Sequence, residues 1–287
     1  MTGFNQERFQ AAYQIVQACA GQPLVAQPTL YVFSTLPSTN QMAWELLEQG
    51  AAIATTVIAL EQTAGRGQWG RQWTSAPGGL YLSMILSPDV PAPQAAQLTL
   101  CTAWGIAATL RALPAKLSGT TDAIAIGLKW LNDLVLQGRK LGGILTETRL
   151  QQGRITKAVV GVGINWTNPV PETGINLQSV LANSPIPLIE SLELLAALTA
   201  YGVLSGYERW QQQGIDAILP EYFELLAHRD RPIVMNGQSG KIVGVTATGE
   251  LRVQLPATAT ANSTSPHIAS NLEVLLKPST ISLGYPL

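Results

Sequence analysis

Two histidines, His228 and His267, and two cysteines, Cys19 and Cys101, are all the imidazoles and thiols in this 287-residue sequence. The cysteines have neither metal nor redox spacing and read as small buried hydrophobes. Neither histidine stands near another ligand or in a motif, which argues against a histidine-based zinc site and a Ser-His-Asp triad. Charged residues amount to only 12%, and 17 basic against 18 acidic residues leave a net charge of −1. No global field therefore draws the chain to nucleic acid or to a membrane. No charged-then-apolar leader opens the sequence. The longest apolar stretch, 98–110, is broken by Thr99, Thr102 and Gly105 and reads as too short to span a bilayer. Walker, HRD and DFG segments are all missing, which argues against P-loop NTPases and protein kinases. What remains is a compact, enzyme-like chain with ample core, read as cytoplasmic.

Against this plain background one stretch stands out, EQTAGRGQWGRQW at 61–73. It sets Gly65, Arg66, Gly67, Gly70 and Arg71 within seven residues. Glycine lets a backbone approach a ligand closely, and arginine adds a fixed fork of donors suited to phosphate or carboxylate. The segment spells G-x-G-x-x-G, but turn residues follow it where a dinucleotide fold would start a helix. It is either a plain surface turn or a lid over an anionic, nucleotide-like ligand. Its glycines and like charges predict disorder when no ligand is bound.

In chain order, apolar spacing predicts a helix over 7–20 and a strand over 30–33. Ser38, Thr39 and Asn40 then precede a helical pattern ending at Gly50. They either cap that helix or offer spare hydroxyl and amide groups to a ligand. Strands are expected at 53–60 and 79–86, and a helix over 94–113 that stops near Pro114. In 123–130, Ile124, Ile126, Leu128 and Trp130 share one face, and Ala125, Gly127 and Lys129 the other. That second face reads as an open trough with one cation, or as an edge strand open to water. Strand 159–166 puts Gly161, Gly163 and Asn165 on one side, and 139–147 is a third glycine-bearing strand. Three thinned strands predict a ligand lying flat on a sheet, with Lys129 projecting into the pocket. Residues 185–226 read as helical. After 229 come short strands split by turns, expected to form a small barrel, with a polar loop at 258–265. The expected division is a helical extension at 1–29, a catalytic unit at 30–228 and the barrel at 229–287.

Five motifs now fall in one order: STN at 38–40, EQTAGRGQWGR, KWLNDL at 129–134, RKLGGIL at 139–145 and GVGIN at 161–165. Together they resemble the biotin–protein ligases over about 30–275. That resemblance implies an α/β (α+β) fold, a mixed sheet flanked by helices as in class II synthetases, with a small C-terminal β-barrel. It implies activation of biotin by ATP with Mg2+, giving biotinyl-5'-AMP. A lysine of a biotin carboxyl carrier protein of acetyl-CoA carboxylase then takes the biotinyl group. No prosthetic group, membrane or nucleic acid is involved; a homodimer is open. Carried over by position, Ser38, Thr39, Asn40, Gln62, Gly65, Arg66, Gly67, Gln68 and Lys129 would hold biotin. Arg71, Trp73, Asn132, Gly161, Gly163 and Asn165 would face the nucleotide. Lys129 and Arg66 would be catalytic, with no protein metal ligand assigned. With STN so near the start, a ligase without a DNA-binding domain is expected. The family's usual GRGRxGR has arginine where this chain has Gln68, and the proline of KWPND is Leu131. The missing charge at Gln68 predicts weaker retention of the adenylate. A lipoate or octanoate transferase and a non-catalytic biotin binder are the alternatives.

Overall fold

A computed structural model describes residues 3–182, 188–229, 231–235, 238–256, 272–278, 280 and 283–285. One sheet gathers β1 (Thr29–Phe33), β2 (Thr55–Ala59), β3 (Leu80–Leu86), β4 (Val90–Pro91), β5 (Gly127–Lys129), β6 (Asp133–Leu136), β7 (Arg139–Gln151) and β8 (Arg154–Ile164). Its order is β1-β2-β3-β8-β7-β6-β5, with β4 beside β8. β1 runs parallel to β2, and the other pairs are antiparallel. The helices are α1 (Gln6–Ala20), α2 (Thr39–Glu48), α3 (Ala95–Leu117), α4 (Leu177–Leu181), α5 (Leu192–Gln213) and α6 (Leu219–Glu224).

Strand alternation sorts the apolar residues into two layers of core. Ile58 joins Leu82, Val160 and Val162 on the side covered by α1, α3 and α5. Val57, Ala59, Ile85 and Val159 turn the other way, toward Ala43 and Met42 of α2. The face under α2 carries the candidate site, because only one short helix covers it.

α3 runs through Pro114 to Leu117, past the expected stop. Its central residues are buried nearly all round, which is why hydrophobic periodicity marks its end poorly. The segment Ala92–Leu117 is long and apolar enough to cross a membrane, contrary to the reading of 98–110, yet 78% of its apolar window is buried. α3 crosses α5 at a small-residue contact. A methyl group at Gly105 would meet the backbone carbonyl of Gly202 and lie 2.9 Å from Cα and N of Gly206. Neither obstacle can rotate away. Gly105→Ala is therefore expected to lower stability by about 1–3 kcal/mol, measured as a shifted urea midpoint at unchanged slope. An unmoved midpoint would mean that the helices separate freely.

β5 differs from expectation. Residues 123–126 lie outside any strand, and the edge of β5 is not open to water. Leu128 N–H donates to the Leu225 carbonyl and Ala227 N–H to the Leu128 carbonyl, at 2.7 and 2.8 Å. The helical stretch read over 185–226 breaks at Gly214, where φ is +76°. Its start, 185–187, lies outside the described residues, as do the polar loop 258–265 and His267.

The C-terminal strands β9 (Pro232–Met235), β10 (Gln238–Val245), β11 (Leu251–Leu255) and β12 (Leu272–Leu276) form a second antiparallel sheet in the order β12-β11-β10-β9. β12 was not foreseen, and closure into a barrel is not among the described pairings. The turn at Gly249 seats this sheet on the main body, where Trp130 Nε1 donates to the Gly249 carbonyl at 2.9 Å. Trp130 directly follows Lys129, so the second sheet abuts the cation strand.

Candidate active site

The start of α2 settles what Ser38, Thr39 and Asn40 do locally. Ser38 is the N-cap residue but makes no side-chain cap bond. Gln62 from the glycine–arginine segment takes that role: its Oε1 accepts from Thr39 N–H at 2.8 Å and Thr39 Oγ1 at 3.1 Å. Gln62 Nε2 donates to Ser75 Oγ at 2.7 Å. Lid and helix start are thus tied together, and the Ser38 hydroxyl is left for other partners. Ser83 of β3, buried under this turn, lies 2.7 Å from Thr39 Oγ1 and 2.6 Å from Asn40 Oδ1.

Register decides which glycines form the floor. Gly161 and Gly163 of β8 pair with Ser83 and Tyr81 on one side and with Leu145 and Gly143 on the other. Gly161, Gly163 and Gly143 therefore face α2 together. Gly142 points into the core, and Gly127 packs against Leu225. The trough read on β5 is a floor of β3, β7 and β8 instead. A methyl at Gly161 would strike the Asn40 amide, and one at Gly163 would come within 2.6 Å of Trp73 Nε1. That indole N–H is buried and has no acceptor among the described residues. Gly163→Ala would push the indole off the floor, with overpacking of about 1–3 kcal/mol. If the indole carries a ligand, calorimetric titration of the variant should show binding weakened by about tenfold.

The segment 65–73, expected to be disordered, is folded on itself. Gly67 N–H donates to the Arg71 carbonyl at 2.7 Å and Trp73 N–H to the Gly65 carbonyl at 3.0 Å. Trp69 at its tip has φ +60° and is largely exposed. The hairpin itself requires glycine at 65, since a methyl there would lie 2.6 Å from Ser75 Oγ. Arg66 reaches across the floor to Glu147 of β7, at 3.1 Å between Nη1 and Oε1.

Beneath this lid lie two adjoining cavities. The inner one, about 60 Å³, is lined by Ser38, Thr39, Asn40, Gln62, Arg66, Gly161 and Gly163. The outer one, about 380 Å³, is lined by Arg71, Lys129, Trp130, Leu131, Pro278 and Leu283. Gly67, Gln68, Trp73, Asn132, Asp133 and Lys140 border both. Asn165 borders neither. Its Oδ1 accepts from Asn168 at 3.0 Å and supports the floor from behind. Asn132 ties β7 in place, with its Nδ2 donating to the Ile144 carbonyl at 2.8 Å.

Lys129 is neither solvated nor cut off from the lid. Its side chain is 15% exposed and its Nζ lies 3.9 Å from Asp133 Oδ2. The Tyr285 ring sits over that Nζ, 4.1 Å away. Burial pushes the Lys129 pKa below the usual lysine value; Asp133 opposes this, while Lys140 and Arg71 add to it. Lys140 Nζ bonds Asp133 Oδ1 at 2.7 Å and Tyr285 Oη donates to Oδ2 at 2.6 Å. Asp133 thus joins two lysines and the C-terminal tail, whose Leu283 packs on the core. Three cations border one cavity against a single carboxylate, so the cavity suits a polyanion.

Asp133 and Lys140 lie inside motifs noted in the sequence, yet neither was singled out there. Ser83, Glu147 and Tyr285 carried no signal, because each stands alone in an ordinary strand or tail.

The profile of the biotin/lipoate A/B protein ligase family matches residues 32–165, the span holding every one of these motifs. That stretch, a little under half of the chain, is similar to that family. It is 28% identical to the biotin–[acetyl-CoA-carboxylase] ligase of Paracoccus denitrificans, over 77% of this chain and 92% of that protein. It is 38% identical to the bifunctional ligase/repressor BirA of Bacillus spizizenii over 146 residues, half of this chain and 41% of that one. The chain thus spans about two-fifths of the length of that bifunctional relative. The fold is that of the biotin protein ligase of Aquifex aeolicus, solved in complex with biotin and ATP. The TM-score is 0.63 at 22% identity, covering 86% of this chain and 95% of that one.

Proposed function

We propose that this chain activates biotin with ATP, forming biotinyl-5'-AMP, and passes the biotinyl group to a lysine of a biotin carboxyl carrier protein. The observation that carries the reading is Lys129, largely buried beneath the arginine-bearing lid in the wall of the outer cavity, beside Asp133, which borders both cavities. The inner cavity has amides and hydroxyls above a glycine floor, suited to a neutral polar head group. The outer cavity has the cations for a triphosphate. A carboxylate lying between them meets the α-phosphorus beside a fixed positive charge.

In the first step a biotin carboxylate oxygen bonds the α-phosphorus, the bond from that phosphorus to the bridging oxygen breaks, and pyrophosphate leaves. Negative charge grows on the oxygens being transferred, and Lys129 and Lys140 oppose it without reorganising. In the second step the carrier amine bonds the acyl carbon and AMP leaves with the former carboxylate oxygen. Each nucleophile comes from a substrate, so position and charge are what the protein supplies. Magnesium is held by few protein groups and by phosphates. Asp133 with Asn132 fits that pattern and would hold the ion, which would neutralise the departing pyrophosphate.

Pyrophosphate exchange into ATP that depends on biotin tests the first step, and labelling of a purified apo-carrier domain tests the second. Exchange driven by lipoate or octanoate instead would make this a lipoyl-type enzyme. Binding of biotin without any exchange would make it a sequestering protein.

A further inference from the structure

Glu147 of β7, already met as the partner of Arg66, has no part in the function proposed above, yet it links the start of α2 to the lid. Its Oε2 accepts from Asn40 Nδ2 at 2.8 Å, from Trp44 Nε1 at 3.3 Å and from Arg66 Nη2 at 3.2 Å. Its Oε1 pairs with Arg66 Nη1 at 3.1 Å. An ionised carboxylate only accepts, so it dictates which end of the Asn40 amide faces it. Asn40 must turn its NH2 to Glu147 and its oxygen to Ser83, whose hydroxyl lies 2.6 Å away. The same carboxylate holds the lid down. With Arg66 docked there, the inner cavity is about 60 Å³, well below the roughly 300 Å³ at which small-molecule sites begin. Arg66 lines that cavity, so a ligand carboxylate arriving beside it is a partner of like chemistry to which the guanidinium can transfer.

We propose that Glu147 is a positioning residue for biotin activation: it orients the Asn40 amide for the head group and holds Arg66 ready to exchange onto the ligand's carboxylate. The proposal rests on the biotin-activating function above. A glutamine at 147 keeps the size but removes the charge. It can turn either amide end to Asn40, and it pairs poorly with guanidinium. In Glu147→Gln, the KM for biotin in pyrophosphate exchange should rise by about tenfold, the worth of a charge-assisted hydrogen bond. The KM for ATP should stay within about twofold. Glu147→Asp, which keeps the charge, should recover most of the biotin KM. In the ligand-free protein, trypsin should cut after Arg66 several-fold faster in Glu147→Gln than in wild type. A biotin KM within about twofold of wild type, or equal rises for biotin and ATP, overturns the role of Glu147 while leaving the function standing. Wild-type protein with no biotin-dependent exchange overturns both.

Discussion

Lys129→Met is expected to reduce adenylate formation by roughly 10²–10³-fold, the usual loss when one preorganised charge-stabilising donor is removed, and to raise the melting temperature. Both halves follow from where the ammonium sits. Burial lowers its pKa below the ordinary lysine value; Asp133 resists this, while Lys140 and Arg71 add to it. In the unfolded chain the same lysine keeps its ordinary pKa, so below both values the folded state carries a charge that it disfavours. Stability from this residue rises as pH climbs through the lowered folded-state pKa toward 10.5, because the unfolded chain then binds more protons. Methionine removes the penalty at neutral pH and leaves Asp133 paired with Lys140 and Tyr285. In the wild type, the same shift predicts that adenylate formation falls on the alkaline side sooner than an ordinary lysine would titrate. Calorimetric melts and exchange rates across pH measure both effects. A Met variant with near-normal exchange would remove Lys129 from the chemistry.

Gln68→Arg should slow release of biotinyl-adenylate by about tenfold, since a hydrogen bond to a charged group is worth about 1.5–3 kcal/mol. Position 68 opens the short 3-10 turn of the lid and borders both cavities, so an arginine there reaches the wall they share. The present glutamine brings no charge to that wall. Wild-type protein should therefore lose adenylate faster and label exposed lysines of bystander proteins more. Filter-binding decay of labelled adenylate compares the two directly. Equal dissociation rates would assign retention to Arg66, Arg71 and Lys129 without help from position 68.

Much of the site was legible in the sequence because its parts are local. Turn chemistry marked the lid, and the alternation of Gly161 and Gly163 marked a floor strand. The trio 38–40 marked the start of a helix whose hydroxyls are not all used in capping. Lys129 was found from its small neighbours, though for a partly mistaken reason. Gly127 is small because Leu225 packs on it, not because a ligand lies there. A period-two pattern says that a face is thin, but not what covers it.

The sequence by itself determined the resemblance to a family, the main strands and helices, and two of the cations that a polyanion would meet, Arg71 and Lys129. Each of these depends on residues within one window, where spacing and turn preference act directly. Only the tertiary structure decided which glycines share a floor, because strand register pairs Gly161 with Ser83 and Leu145. It alone brought Tyr285 onto Asp133, 152 residues away, and drew Asn40 and Arg66 to the one carboxylate of Glu147. Such meetings are set by how the sheet stacks and where the tail docks, and no local pattern encodes that.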